Sequence, residues 1–127
     1  MEYGFTRTVD LPYEAAVQRV TEELKKQGFG VLTTIDVKET LKQKLNVEFA
    51  KYVILGACNP PLAHGALEVD MNIGLLLPCN VIVYEKEGKT VVGAFDPMTM
   101  VPLVGKKALQ AIAADVKQRL EKVLANI

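Results

Sequence analysis

The only two cysteines and the only histidine of the chain fall between Cys58 and Cys79, together with three of its six prolines. Thiolates and imidazole are good ligands for zinc or copper, so Cys58, His64 and Cys79 are candidate metal ligands, with a fourth position left to water or a carboxylate. The spacing from Cys58 to His64 corresponds to no standard zinc module. A cysteine just ahead of a helix N-terminus is also a candidate nucleophile, because the helix dipole favours thiolate. His64, one turn further on, would then be its base. A third reading needs no chemistry: two cysteines behave as small buried hydrophobes and the histidine is a surface or interface residue. Three readings therefore stand side by side: a small-ligand or metal site around Cys58, His64 and Cys79, a thiol-dependent enzyme, and a structural or oligomerisation module.

The surrounding elements decide whether these side chains meet. Tyr52 to Ala57 is a continuous apolar run and reads as a strand covered on at least one side. Asn59-Pro60-Pro61 is a helix-start signal, an N-cap followed by residues of fixed helical φ, and the helix runs to about Glu68. Val81 to Glu85 and Thr90 to Phe95 are strands joined by a hairpin through Lys86-Glu87-Gly88-Lys89. If the strands on either side of the helix are antiparallel neighbours, Cys58 and Cys79 lie at the same sheet edge. His64 and Glu68 share one helix face at i, i+4 spacing, opposite the apolar Leu62, Ala66 and Val69, so all four groups are expected to converge there.

The rest of the chain reads as follows. Tyr3 to Val9 is a first strand, and Asp10 is expected to cap a helix carrying Tyr13, Ala16, Val17, Val20 and Leu24 on one face. Gly28 and Gly30 stop that helix. Val31 to Val37 is a second strand, and Lys38 to Leu45 a short helix. Met98 to Val104 is expected to be irregular. From Lys106 a final helix carries Leu109, Ile112, Ala113, Val116, Leu120, Val123 and Ile127 on one side. The pattern predicts one domain over residues 1–127 of α+β class, a mainly antiparallel sheet with helices packed on one face.

Asp36, Asn59, Asn80 and Asp96 are candidate ligand-binding residues near strand ends. Each also has a structural reading as a helix cap, an Asx turn or a backbone brace. Met98 and Met100 read as core or interface filler. Gly105-Lys106-Lys107 fails as a phosphate loop, because the upstream glycine is missing and no Ser or Thr follows Lys106. No dinucleotide fingerprint and no Cys-x-x-Cys pair is present.

Composition narrows the partners. The formal charge is zero, with fifteen basic and fifteen acidic residues, and no basic stripe, which argues against nucleic acid. Little self-repulsion is compatible with a homo-oligomer, a dimer being the simplest form. The most apolar run, Met71 to Tyr84, is shorter than the ~20 residues that cross a bilayer and is broken by Pro78. With no apolar signal region at the start, the expectation is a cytoplasmic protein with free thiols.

Several segments together resemble a known family. Gly28-Phe-Gly-Val-Leu, Ile35-Asp36-Val37, Cys58-Asn-Pro-Pro-Leu-Ala-His64, Leu76-Leu-Pro-Cys-Asn80 and Asp96-Pro97 are similar to the uncharacterised bacterial and archaeal family known as domain of unknown function 302. The resemblance spans nearly the whole chain. It implies a fold of the TATA-binding-protein class, β-α-β(4)-α, with a curved antiparallel sheet gripping a helix and short extra helices. It implies no activity. Its motif residues fall here on Asp36, Cys58, Asn59, Pro60, His64, Pro78, Cys79 and Asp96.

Overall fold

Alternation builds the sheet. A computed structural model describes residues 1–127. Five strands, β1 (Gly4–Val9), β2 (Gly30–Asp36), β3 (Tyr52–Cys58), β4 (Cys79–Lys86) and β5 (Lys89–Phe95), make one sheet in the order β1-β5-β4-β3-β2. Every neighbouring pair is antiparallel. Val53, Leu55 and Ala57 of β3, Val81 and Val83 of β4, and Val92 and Ala94 of β5 are buried on one face, as a side-chain period of two requires.

Two helices cover that face. They are α1 (Tyr13–Lys26) and α5 (Leu109–Ala125). Ala16, Val20 and Leu24 from α1 meet Val116, Leu120, Val123 and Leu124 from α5 over the central strands, in one apolar cluster. A second, smaller cluster joins Ala66, Ile73, Met100 and Leu109 beyond the end of the sheet. It is built from α3 (Pro60–Val69), the 3-10 segment Met71–Leu76, α4 (Met100–Val104) and the first turn of α5. The remaining helix, α2 (Val37–Leu45), buries none of its residues. The expectation of an α+β chain with a mainly antiparallel sheet and helices on one face holds.

Polar ties fix how these pieces meet. Arg7 of β1 donates to the carbonyls of Leu124 and Ala125 at 2.7 and 3.0 Å. A cation is favourable there, at the negative end of the α5 dipole. The carbonyl of Gln27, just past α1, accepts from Asn59 Nδ2 at 3.3 Å and from Arg119 Nη1 at 3.0 Å. One oxygen thus links α1, the start of α3 and α5. Gly28 follows it with φ +85, and a Cβ there would stand 3.0 Å from the Asn59 amide. Both conditions favour glycine.

Three local expectations need correction. Asp10 does not cap α1: Pro12 occupies the cap position with no side-chain hydrogen bond. Met98–Val104 is not irregular, because Asp96 Oδ1 accepts from Met98 N at 2.9 Å and starts the 3-10 turn Pro97–Thr99, which runs into α4. The last helix starts at Leu109 rather than Lys106, since Gly105 at φ +70 ends α4 and the chain must turn before resuming. The 3-10 segment Met71–Leu76 had no periodicity to announce it, and Asp70 caps it through Asn72 N at 2.9 Å.

Gly56 of β3 sits where the sheet meets the 3-10 segment. A Cβ there would overlap Thr33 Oγ1 and lie 2.9 Å from Pro78 Cγ, part of a rigid ring. Gly56→Ala is expected to lower stability by about 1–3 kcal/mol, the usual cost of overpacking. Urea unfolding followed by circular dichroism checks this; an unchanged midpoint would refute it.

Candidate functional site

Between the two apolar clusters lies a half-open cavity of about 370 Å³. The larger cluster contributes Phe29, Ala57, Cys79 and Val116 to its wall; the smaller contributes Ala66 and Met100. Fifteen of its twenty lining residues are hydrophobic. Space survives here because several facing residues are small: Ala57 on β3, Ala63 and Ala66 on α3, Gly74 in the 3-10 segment and Ala113 on α5. The helices approach closely, as a Cβ on Gly65 would lie 3.3 Å from Ile112 Cδ1. The vacancy is therefore not produced by elements standing apart.

The structure brings the two cysteines to this cavity. Cys79 opens β4 opposite Ala57, and Cys58 is the next residue along β3. Both line the wall, Cys79 buried and Cys58 half-buried, and both are free thiols. Burial pushes the Cys79 thiol up to about 11 from 9.0, and the nearby Cys58 adds to the rise. Cys79 is thus a neutral thiol throughout the physiological range.

His64 is not brought there. Its side chain is 76 % exposed, with Nε2 3.0 Å from Glu68 Oε1. Neither residue lines the cavity. Leu62, Ala63, Ala66 and Leu67 take the inward face of α3, so the helical period turns positions 64 and 68 away. The convergence of Cys58, His64, Glu68 and Cys79 is corrected to two thiols inside and a histidine–glutamate pair outside. No three His, Cys, Asp or Glu side chains lie together in a metal-holding arrangement.

The other candidates divide. Asn59 is buried and lines the cavity, but its side chain is engaged: Oδ1 accepts from Leu62 N at 3.4 Å as the α3 cap, and Nδ2 donates to Gln27 O. Asp36 caps α2 through Glu39 N at 3.0 Å. Asp96 adds to its cap an ion pair with Lys117 at 2.9 Å, which raises the Lys117 pKa. Asn80 is exposed on β4 opposite Gly56. Pro60 takes the first helical position of α3, and Pro78 stands at the cavity wall.

Sequence reasoning missed the helical half of the wall. Leu109, Ile112, Ala113 and Val116 read as a core stripe of α5 and Met100 as filler, yet all five line the cavity. The available signal was the run of small residues at 57, 63, 66, 74 and 113, which cannot fill the space between large neighbours.

Residues 5–127 match the family described as "Domain of unknown function DUF302". The crystal structure of an uncharacterized conserved DUF302 protein from Bacillus stearothermophilus superposes with a TM-score of 0.92 at 35% sequence identity, covering 99% of this chain and 98% of that one. No curated protein matches the chain.

The thiol environments predict unequal reactivity. At pH 8 iodoacetamide should modify Cys58 well before Cys79, and His64→Ala should leave the Cys58 rate unchanged; a slowed rate would restore the histidine as its base. Cys79 also makes stability pH-dependent. Below pH 9 its thiol is protonated both folded and unfolded, and its contribution is complete. Between about pH 9 and 11 the unfolded chain ionises first, so roughly 2–3 kcal/mol of stability is lost. Urea midpoints across this range should fall less steeply for Cys79→Ala than for the parent chain.

Proposed function

We propose that this chain, which belongs to the DUF302 family, binds a small, mainly apolar molecule in the cavity between its two hydrophobic clusters. The observation carrying this is the cavity itself: about 370 Å³, half open and walled almost wholly by hydrophobic side chains. Ligand sites of about 300–1,000 Å³ with apolar walls and few polar groups are the usual form. An apolar cavity of about 150 Å³ accepts benzene, so this one suits a molecule of one or two rings or a short branched chain.

The Cys58 and Cys79 sulfurs and Thr33 supply the specificity. Asn59 shapes the wall rather than offering free hydrogen-bonding groups, since both ends of its amide are occupied. Sulfur beside an aromatic ring is favourable by about 0.3–1.5 kcal/mol. Burial of about 200 Å² of ligand surface would contribute about 5 kcal/mol before the entropy cost of association is subtracted.

A molecule fits this wall better than an ion. Two sulfurs without a third protein ligand fall short of the three or four that zinc takes, and the apolar lining gives a bare cation little to replace its water. The two free thiols suit the reducing interior of a cell, so we place the protein in the cytoplasm. We further propose that it works as a homo-oligomer, because ten large hydrophobic side chains stand exposed on a chain of zero net charge.

The test is a fluorescence titration with the uncharged probe N-phenyl-1-naphthylamine. Saturable one-to-one binding is expected. Ala63→Phe, which places a ring in the cavity, should weaken it at least tenfold while the circular dichroism spectrum stays that of the parent. Absence of saturable binding, or equal binding by a folded Ala63→Phe chain, would sink the reading. Zinc or copper titration in parallel should show no stoichiometric heat.

A further inference from the structure

Residues 30–51 form an arm that buries nothing. Across β2, α2 and the segment leading to β3, no residue is buried, and only Val31, Val37 and Leu41 are half-buried. Five of the ten exposed large hydrophobics of the whole chain lie in it: Leu32, Ile35, Leu45, Val47 and Phe49. A nine-residue helix is marginal in water without packing. β2 is also an edge strand, with one side of its backbone unpaired.

The sheet face away from α1 and α5 continues this surface. The register sets Ile35 opposite Ile54 and Ile54 opposite Ile82, so three isoleucines cross three strands in one row. The next row holds Tyr52 and Tyr84, stacked at 5.3 Å between centroids, and Phe49 lies 6.3 Å from Tyr52. None of Tyr52, Ile54, Ile82 or Tyr84 is buried. Arm and sheet face thus form one apolar surface along and beside the β2 edge.

The total area says how much is uncovered. A folded monomer of 13.9 kDa typically exposes about 6,700 Å², whereas this chain exposes 7660 Å². The excess is roughly 1,000 Å², close to the ~800 Å² that each partner contributes to a standard interface.

We infer that a second copy of this chain covers this surface, in a two-fold dimer in which each arm lies over the outer sheet face of the other. The inference rests on the self-association proposed above and assigns its surface. Self-complementarity is what a two-fold interface requires. Here the apolar arm and the apolar sheet face are neighbours on one edge, and no net charge opposes their pairing. Leu32, 68 % exposed, also lines the cavity wall, so one end of the arm reaches the cavity rim.

The experiment is light scattering and sedimentation velocity on the full chain at micromolar concentration. The parent should run at twice 13.9 kDa. Ile54→Lys on the sheet face and Leu45→Glu on the arm should each raise the dissociation constant at least about 100-fold, the effect of about 3 kcal/mol, and release folded monomers. Leu45 is 66 % exposed, so its variant keeps the test valid if Ile54→Lys fails to fold. Leu75→Glu, at a separate exposed position, should leave the dimer intact. A monomeric parent overturns both self-association and the arm assignment. A dimer undisturbed by the arm and sheet variants but broken by Leu75→Glu keeps self-association and overturns the arm. A monomer that retains probe binding separates this question from that of the cavity.

Discussion

The packing of one helix against two different partners organises the molecule. The C-terminal half of α5 lays Val116, Leu120, Val123 and Leu124 on the sheet beside α1. Its N-terminal end carries Leu109 into the cluster with Ala66, Ile73 and Met100. Because α5 is a single rigid rod of 17 residues, its two halves cannot adjust independently. The sheet fixes one end, and α3, α4 and the 3-10 segment must accommodate the other. Polar ties hold the rod in place: Arg7 at its C-terminal carbonyls, Arg119 at the Gln27 carbonyl and Lys117 at Asp96. The cavity is the space that remains where two packing problems share one helix and small residues line the join.

The strands and the two long helices were legible because their patterns are strong. Tyr52 to Ala57 is an unbroken apolar run of strand length, and the apolar stripe of α1 recurs at helical spacing. Asn59 as the cap of α3 was legible for the same kind of local reason: an amide acceptor ahead of two prolines has little else to do. The His64 direction was not. Its spacing from Glu68 was read correctly, but which helix face meets the sheet edge depends on Leu62, Ala63, Ala66 and Leu67 finding partners on α5. Those partners lie some fifty residues away in sequence, and no local pattern contains them. The Met71–Leu76 segment escaped for another reason, since a 3-10 turn has neither the 3.6-residue nor the two-residue repeat.

The cysteines show how position and chemistry separate. Neighbouring strands put both thiols at one wall, yet their environments differ. Cys79 begins a strand inside the larger cluster and holds its proton to about pH 11. Cys58 ends a strand at the cavity surface, beside the N-terminus of α3, where Pro60 and Pro61 leave the helix start short of backbone donors. A pair that looks equivalent in sequence is one core residue and one wall residue. The arm is the opposite case. Leu32, Ile35 and Leu45 read as ordinary apolar residues of a strand and a helix, and only the fold shows that no part of this chain covers them.

The smaller cluster has four buried members against seventeen in the larger. Opening free energies follow how much apolar surface each region keeps from water, so, the arm apart, the end of the molecule holding α4 and the 3-10 segment opens more readily than the central strands β3, β4 and β5. A guest bound there, as proposed, would touch both clusters and be released when the smaller one opens. Residence time and amide protection at this end of the fold then become a single quantity, set by the same fluctuation. Occupancy would deepen that protection by RT ln(1 + [L]/Kd), leaving the central strands to exchange as before.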